Sequence, residues 1–275
     1  MTAKKEQTSF KKYVSKMWML FFGALIISII FFFGIAKGLL GEMPTFKQLE
    51  NPNSFLATEI LTEDEKILGK YFRENRSNSR YEDLPQNLKD ALIATEDARF
   101  ENHSGIDFRA LVRAVFFLGK RGGASTISQQ LAKNLFHGAD GSKNIVVRIV
   151  QKIKEWIIAI RLERQYTKQE IIALYLNKVD FVNSAVGIRS ASKIYMGKEP
   201  KDLTIEESAL FVGMLKNPAL FNPTKEKRKE KVFNRRNTVL DQMVKNKYLS
   251  EGKAAQLKKL PVKINFKPES HAEGT

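Results

Sequence analysis

Residues Met17 to Ala36 (MWMLFFGALIISIIFFFGIA) carry no charge and form one unbroken apolar run, long enough to cross a bilayer as a helix. A helix apolar on every side needs lipid or a large protein core around it, so this run divides the chain before any other pattern is read. Lys4, Lys5, Lys11, Lys12 and Lys16 precede it against a single Glu6, whereas only Lys37 and Glu42 follow closely. The positive-inside rule therefore puts the N-terminus in the cytoplasm and everything after Lys37 outside it. The alternative is a cleaved signal peptide, but the run is longer than an ordinary signal h-region and lacks a convincing small-x-small cleavage site. The expectation is a single-pass cell-membrane protein: cytoplasmic tail 1–16, anchor 17–36, extracytoplasmic remainder.

Downstream, residues 43–82 read as a connector and a β-hairpin, with strands over Ala57 to Thr62 and Lys66 to Phe72 around the acidic stretch Glu63 to Glu65. From Leu84 the pattern turns helical, with Pro85 at a helix start. Between Asn144 and Glu163, the residues Val146, Ile149, Val150, Ile153, Ile157 and Ile160 give the stripe of a buried helix face. Arg148, Lys152 and Glu155 form a second, polar stripe at i, i+4 and i+7. Thr167 with Glu170, and Thr204 with Glu207, are capping boxes opening two more helices, the first reaching Tyr175 to Asn177 and the second covering Leu203 to Leu215 before Asn217 and Pro218. Val232 to Tyr248 is a basic amphipathic helix. The main domain is thus 83–250, and 251–275 reads as a linker.

The chain has no cysteine, which excludes disulfides, a thiolate nucleophile and a Cys-based zinc site. His103, His137 and His271 are too scattered for a metal-ligand motif. The net charge of +16 calls for an anionic partner: nucleic acid, anionic lipid or a phosphorylated substrate. Three S-x-x-K matches, beginning at Ser9, Ser190 and Ser250, lack the companion triplets of acylating transpeptidases and count as chance. No nucleotide-binding glycine loop is present.

Two segments look like a site. Glu96 and Asp97 stand beside Ile93 and Phe100, where an apolar setting can tune a carboxylate toward acid or base work, and His103 and Gly105 follow closely. Gly122 to Gln130 then combines glycines with the neutral donors Ser125, Thr126, Gln129 and Gln130, and Lys133 follows on a shared helix face. A helix N-terminus there would add its positive dipole end for an anion. Taken alone, Glu155 beside Lys152 is an ordinary ion pair.

In order and spacing these segments resemble the peptidoglycan glycosyltransferases of glycosyltransferase family 51. Glu96, Asp97, Phe100, His103 and Gly105 resemble the first motif, Gly123 to Gln130 the second, Lys152 and Glu155 the third, Lys168 to Asn177 the fourth, and Ala185 to Gly187 with Ala191 and Tyr195 to Lys198 the fifth. Where the third motif usually begins Arg-Lys, Gln151 stands before Lys152, so that one cationic contact is either missing or supplied by Arg148 or Lys154. Ala173 replaces the usual Glu of the fourth motif.

The resemblance implies a mainly α, lysozyme-like fold of two lobes about a long cleft, with the smaller lobe dipping into the membrane. Val115 to Leu118, flanked by Arg113, Lys120 and Arg121, has the composition for that surface. It implies polymerisation of lipid II with inversion and release of undecaprenyl diphosphate, with lipid II, the growing lipid-linked strand, the membrane and other cell-wall synthesis proteins as partners, and no nucleic acid. Glu96 and Glu155 would be catalytic. Asp97, Phe100, His103, Ser125, Thr126, Gln129, Gln130, Lys133, Asn134, Arg148 and Lys152 would bind substrate. No cofactor is demanded; a divalent cation, Mg2+ or Mn2+, would be accommodated between Glu155 and a diphosphate. The chain would be a monofunctional enzyme or the N-terminal part of a class A penicillin-binding protein, and the tail favours the latter. A muramidase and a non-catalytic membrane scaffold are the competing readings.

Overall fold

The computed structural model describes residues 2–39, 41, 43, 58–61, 67–71, 78–117, 123–136 and 144–268, and they are mainly helical. Helix α1 (Thr2–Ala36) contains the apolar run, and its large side chains from Met17 to Phe33 face outward on every side. Length and composition suffice for it to cross a membrane. Ile35, near its end, is buried, and α1 packs against α5 (Ile145–Gln165). Strands β1 (Thr58–Leu61) and β2 (Ile67–Tyr71) pair antiparallel, Thr58 opposite Tyr71. The segment that joins them lies outside the described residues, as do 44–57, Leu118, Lys120, Arg121, His137 and His271.

The core is built on α2 (Gln86–Glu96), α8 (Ile205–Leu215) and α9 (Lys229–Lys245), which pack on one another. Helix α2 buries Leu88, Ala91 and Leu92, an i, i+3, i+4 stripe. Helix α8 buries Ser208 to Met214 without interruption, as a central helix must. Both capping boxes form: Thr167 opens α6 (Lys168–Lys178) and Thr204 opens α8, each hydroxyl accepting from the amide three residues on. Helix α4 (Ile127–Phe136) lies between α5 and α6, and the short helices α3 (Phe108–Phe116) and α7 (Ile188–Met196) complete the part that carries the site.

Two expectations are corrected. The apolar stripe of α5 is not buried along its length: Val146 and Ile149 are exposed, Val150, Ile153 and Ile160 half-buried, and the buried set is Glu155, Ile157, Ile158, Ala159 and Leu162. Burial in α5 is confined to its C-terminal half, and Ile145 to Ile149 lie exposed ahead of it. Residues 251–275 are also not a linker from their start. Glu251–Lys259 forms helix α10, whose Ser250 hydroxyl caps the Lys253 amide and which buries Ala254 and Leu257. Residues 261–268 then run extended along α7, with the Asn265 amide donating to the Tyr195 carbonyl and the Lys267 amide to that of Ile194, each at 2.8 Å. The Ser250 match to S-x-x-K is thereby a helix cap.

Candidate active site

Glu96 is the last residue of α2, and its side chain is 15% exposed. Gln130 on α4 donates its Nε2–H to Glu96 Oε2 at 2.8 Å, and Tyr175 on α6 donates its hydroxyl to Gln130 Oε1 at 2.8 Å. On the other side Arg235 of α9 brings Nη2 to 3.7 Å from Glu96 Oε1. Arg235 is itself fixed by a 3.2 Å bond from Nε to the Gly213 carbonyl and lies over the Phe221 ring. Burial lowers the Arg235 pKa, with the Glu96 charge opposing. Burial and then the Glu96 charge push the Tyr175 phenol well above its ordinary value. Four helices therefore meet at one carboxylate.

Asp97 does different work. It is buried, it accepts the Ile127 amide at 3.1 Å and so closes the N-terminus of α4, and it pairs with His103 Nε2 at 3.0 Å. The α4 dipole end expected to meet an anionic ligand is occupied by the chain's own carboxylate. Phe100 is fully buried, its ring beneath the Lys168 ammonium at 4.3 Å, and Lys168 also donates to the His103 carbonyl at 2.6 Å. Asp97, Phe100 and His103 thus hold the loop after α2, and of the three only Asp97 touches the cavity wall, with its carboxylate already bound to Ile127 and His103. Thr126 and Gln129 are buried as well, both donating to the Gly105 carbonyl, at 2.8 Å and 3.0 Å.

Gly105 explains its own place in that loop. Its φ is +89°, and a Cβ there would stand 2.8 Å from the Ala159 carbonyl carbon of α5. The chain passes over α5 at that point, and only a residue without a side chain fits.

A cavity of about 80 Å3 opens beside Glu96, lined among others by Asp97, Ala98, Arg99, Arg113, Ala124 and Ser125. At its edge the Ser125 hydroxyl accepts from Lys152 Nζ at 2.9 Å, and Lys152 also donates to Glu155 at 2.9 Å. Glu155 is buried, which sets it apart from an ordinary surface pair. Lys133, Asn134 and Arg148 are exposed and do not line the cavity. Among the described residues no group of three His, Asp or Glu could hold a metal ion. Glu155 alone, already paired with Lys152, is not a protein-built cation site.

Arg235 is the site residue that the sequence reading missed. The buried stripe Val232, Val239, Leu240 and Met243 of α9 runs through Arg236, which is 1% exposed and donates to the Leu260 and Lys258 carbonyls. An arginine on an apolar stripe was the available signal that this helix is more than a basic surface.

A family model described as Transglycosylase matches residues 64–244. Penicillin-binding protein 1A of Vibrio cholerae serotype O1 is 32% identical over 255 residues, covering 91% of this chain and 30% of that protein. Penicillin-binding protein 2a of Streptococcus pneumoniae is 33% identical over 250 residues, covering 88% of this chain and 33% of its own. The chain spans about a third of the length of these relatives. Among solved structures, penicillin-binding protein 1A from Haemophilus influenzae aligns with 25% identity and a TM-score of 0.44 over 77% of this chain and 21% of that one.

Proposed function

The chain belongs to the transglycosylase family, and from that premise we propose that it polymerises peptidoglycan glycan strands from lipid II. The observation that carries this reading is the Glu96 carboxylate, held beside a cavity by Gln130 and Arg235. One Glu96 oxygen takes the proton from the acceptor sugar 4-hydroxyl as that oxygen attacks the donor anomeric carbon from the face opposite the diphosphate. The new C–O bond forms, the bond from the anomeric carbon to the diphosphate oxygen breaks with its electron pair, and undecaprenyl diphosphate leaves with inversion at carbon. Lys152, steered by Glu155 and Ser125, meets the leaving diphosphate, and the exposed Lys133 and Arg148 add positive charge along its path.

The lysozyme-like, two-lobed arrangement belongs to the same proposal, as does the topology. Helix α1 anchors the chain with its lysine-rich N-terminus in the cytoplasm and the site outside, where the lipid-linked substrate and growing strand share its membrane. Incubation with lipid II tests the reading. Polymer from the wild type and none from Glu96→Gln supports it. Soluble fragments released from finished glycan, with no polymer from lipid II, would instead mean a muramidase, and polymer at the wild-type rate from Glu96→Gln would remove the general base.

A further inference from the structure

Tyr175 never reaches the cavity, yet it is tied to the reacting carboxylate by two consecutive hydrogen bonds. It is almost wholly buried on α6, and its hydroxyl donates to Gln130 Oε1 at 2.8 Å. The other end of the same amide donates to Glu96 Oε2 at 2.8 Å. A primary amide has two ends of nearly equal shape and opposite polarity, so its orientation is set by its partners. In the reversed orientation the Gln130 oxygen would face a carboxylate, and the buried phenol proton would lose this acceptor, each a costly outcome away from water. Burial holds the phenol proton in place, so the hydroxyl stays a donor across the working range of pH.

We infer that Tyr175 is a positioning residue that, through Gln130, fixes the direction of the Glu96 carboxylate for glycosyl transfer. With Oε2 bound by Gln130 and Oε1 facing Arg235, the carboxylate cannot turn about its last bond without breaking one contact. Its remaining lone pairs then point where an acceptor hydroxyl can be met. The inference rests on the reading of Glu96 as the base.

The test is steady-state polymerisation of lipid II by the full chain carrying Tyr175→Phe, Gln130→Leu, both together, or Glu96→Gln. Tyr175→Phe is expected to lower kcat roughly tenfold to a hundredfold, the scale of a small misplacement of a catalytic group, with KM within about twofold of wild type. In the Gln130→Leu background the same substitution should cost nothing further, because the chain is already cut. Losses that multiply in the double variant overturn the inference. So does an unchanged kcat, a rise in KM alone, or a Tyr175→Phe protein that does not fold, since the hydroxyl would then serve the core. Gln130→Leu is the second arm, and a wild-type kcat there overturns it too. If Glu96→Gln polymerises normally, the reading of the base has failed; if it is inactive while Tyr175→Phe is normal, only this inference has.

Discussion

Asp97 Oδ2 lies 3.1 Å from the Ile127 amide, so the residue next to Glu96 in the chain closes a helix thirty positions further on. Two adjacent carboxylates at the end of α2, both on the cavity wall, are thereby separated in role: Asp97 is taken up by the α4 N-terminus and His103, and Glu96 is held by side chains alone, Gln130 and Arg235. Because α4 also carries Gln130, the contact that builds the loop also brings a donor to the base.

The separation predicts opposite phenotypes. Asp97→Asn weakens a buried cap and the His103 contact, and should lower unfolding free energy by about 1–3 kcal/mol, read in a urea titration. Glu96→Gln keeps the shape of its side chain and should leave the urea midpoint nearly unchanged, while polymerisation falls by about two to four orders of magnitude.

Gly105→Ala should be among the most disruptive single methyl additions in the chain. The added carbon would meet the α5 backbone at Ala159 closer than van der Waals contact while the residue is held at φ +89°. Strain of about 1–3 kcal/mol from the backbone conformation alone is expected, with the clash added to it. The Gly105 carbonyl also receives Thr126 and Gln129, so the shift should reach the cavity wall and lower activity as well as the thermal midpoint.

Much of this was legible in the residues. The capping boxes at Thr167 and Thr204, the α1 run, and the segments around Glu96 and Gln130 announce themselves by local chemistry that survives folding. What the sequence concealed is partner choice at long range. Nothing near Phe100 or His103 shows that Lys168 will cover them, and an exposed and a buried Gln look alike until Gly105 is seen to accept from Gln129. Arg235 escaped for the same reason, since its meaning lies in the approach of α9 to α2. The α5 stripe misled because periodicity marks an apolar face without saying whether protein or another medium covers it.

Asp107 gives a pH signature. Burial pushes its carboxyl up, but the Ala110 amide at the start of α3 and the Arg99 guanidinium outweigh that, and the pKa ends below the usual carboxylate range. A carboxyl more acidic when folded stabilises the protein above its unfolded pKa, and that contribution is lost as pH falls through the folded value, hence below about pH 4. Asp107→Asn should therefore flatten the acid limb of the stability profile and leave its slope near neutrality unchanged, as followed by thermal unfolding across pH.

The exposed half of α5 and helix α3 predict membrane contact independent of α1. Phe108, Val112 and Phe116 recur every four residues on α3 and are 68%, 54% and 81% exposed, while Ala110 on the other face is buried. Ile145, Val146 and Ile149 are exposed on α5. So much apolar area left uncovered is costly in water and favourable at a lipid interface, where each large side chain contributes about 1.5–3 kcal/mol on insertion. Arg113 sits on the same helix as those phenylalanines, as a chain approaching an anionic bilayer would place it. A protein shortened to begin after residue 36 should still sediment with anionic vesicles, and Phe108→Ser with Phe116→Ser should weaken that binding by about tenfold or more. Sedimentation unaffected by the double substitution would show that the surface packs on something other than lipid.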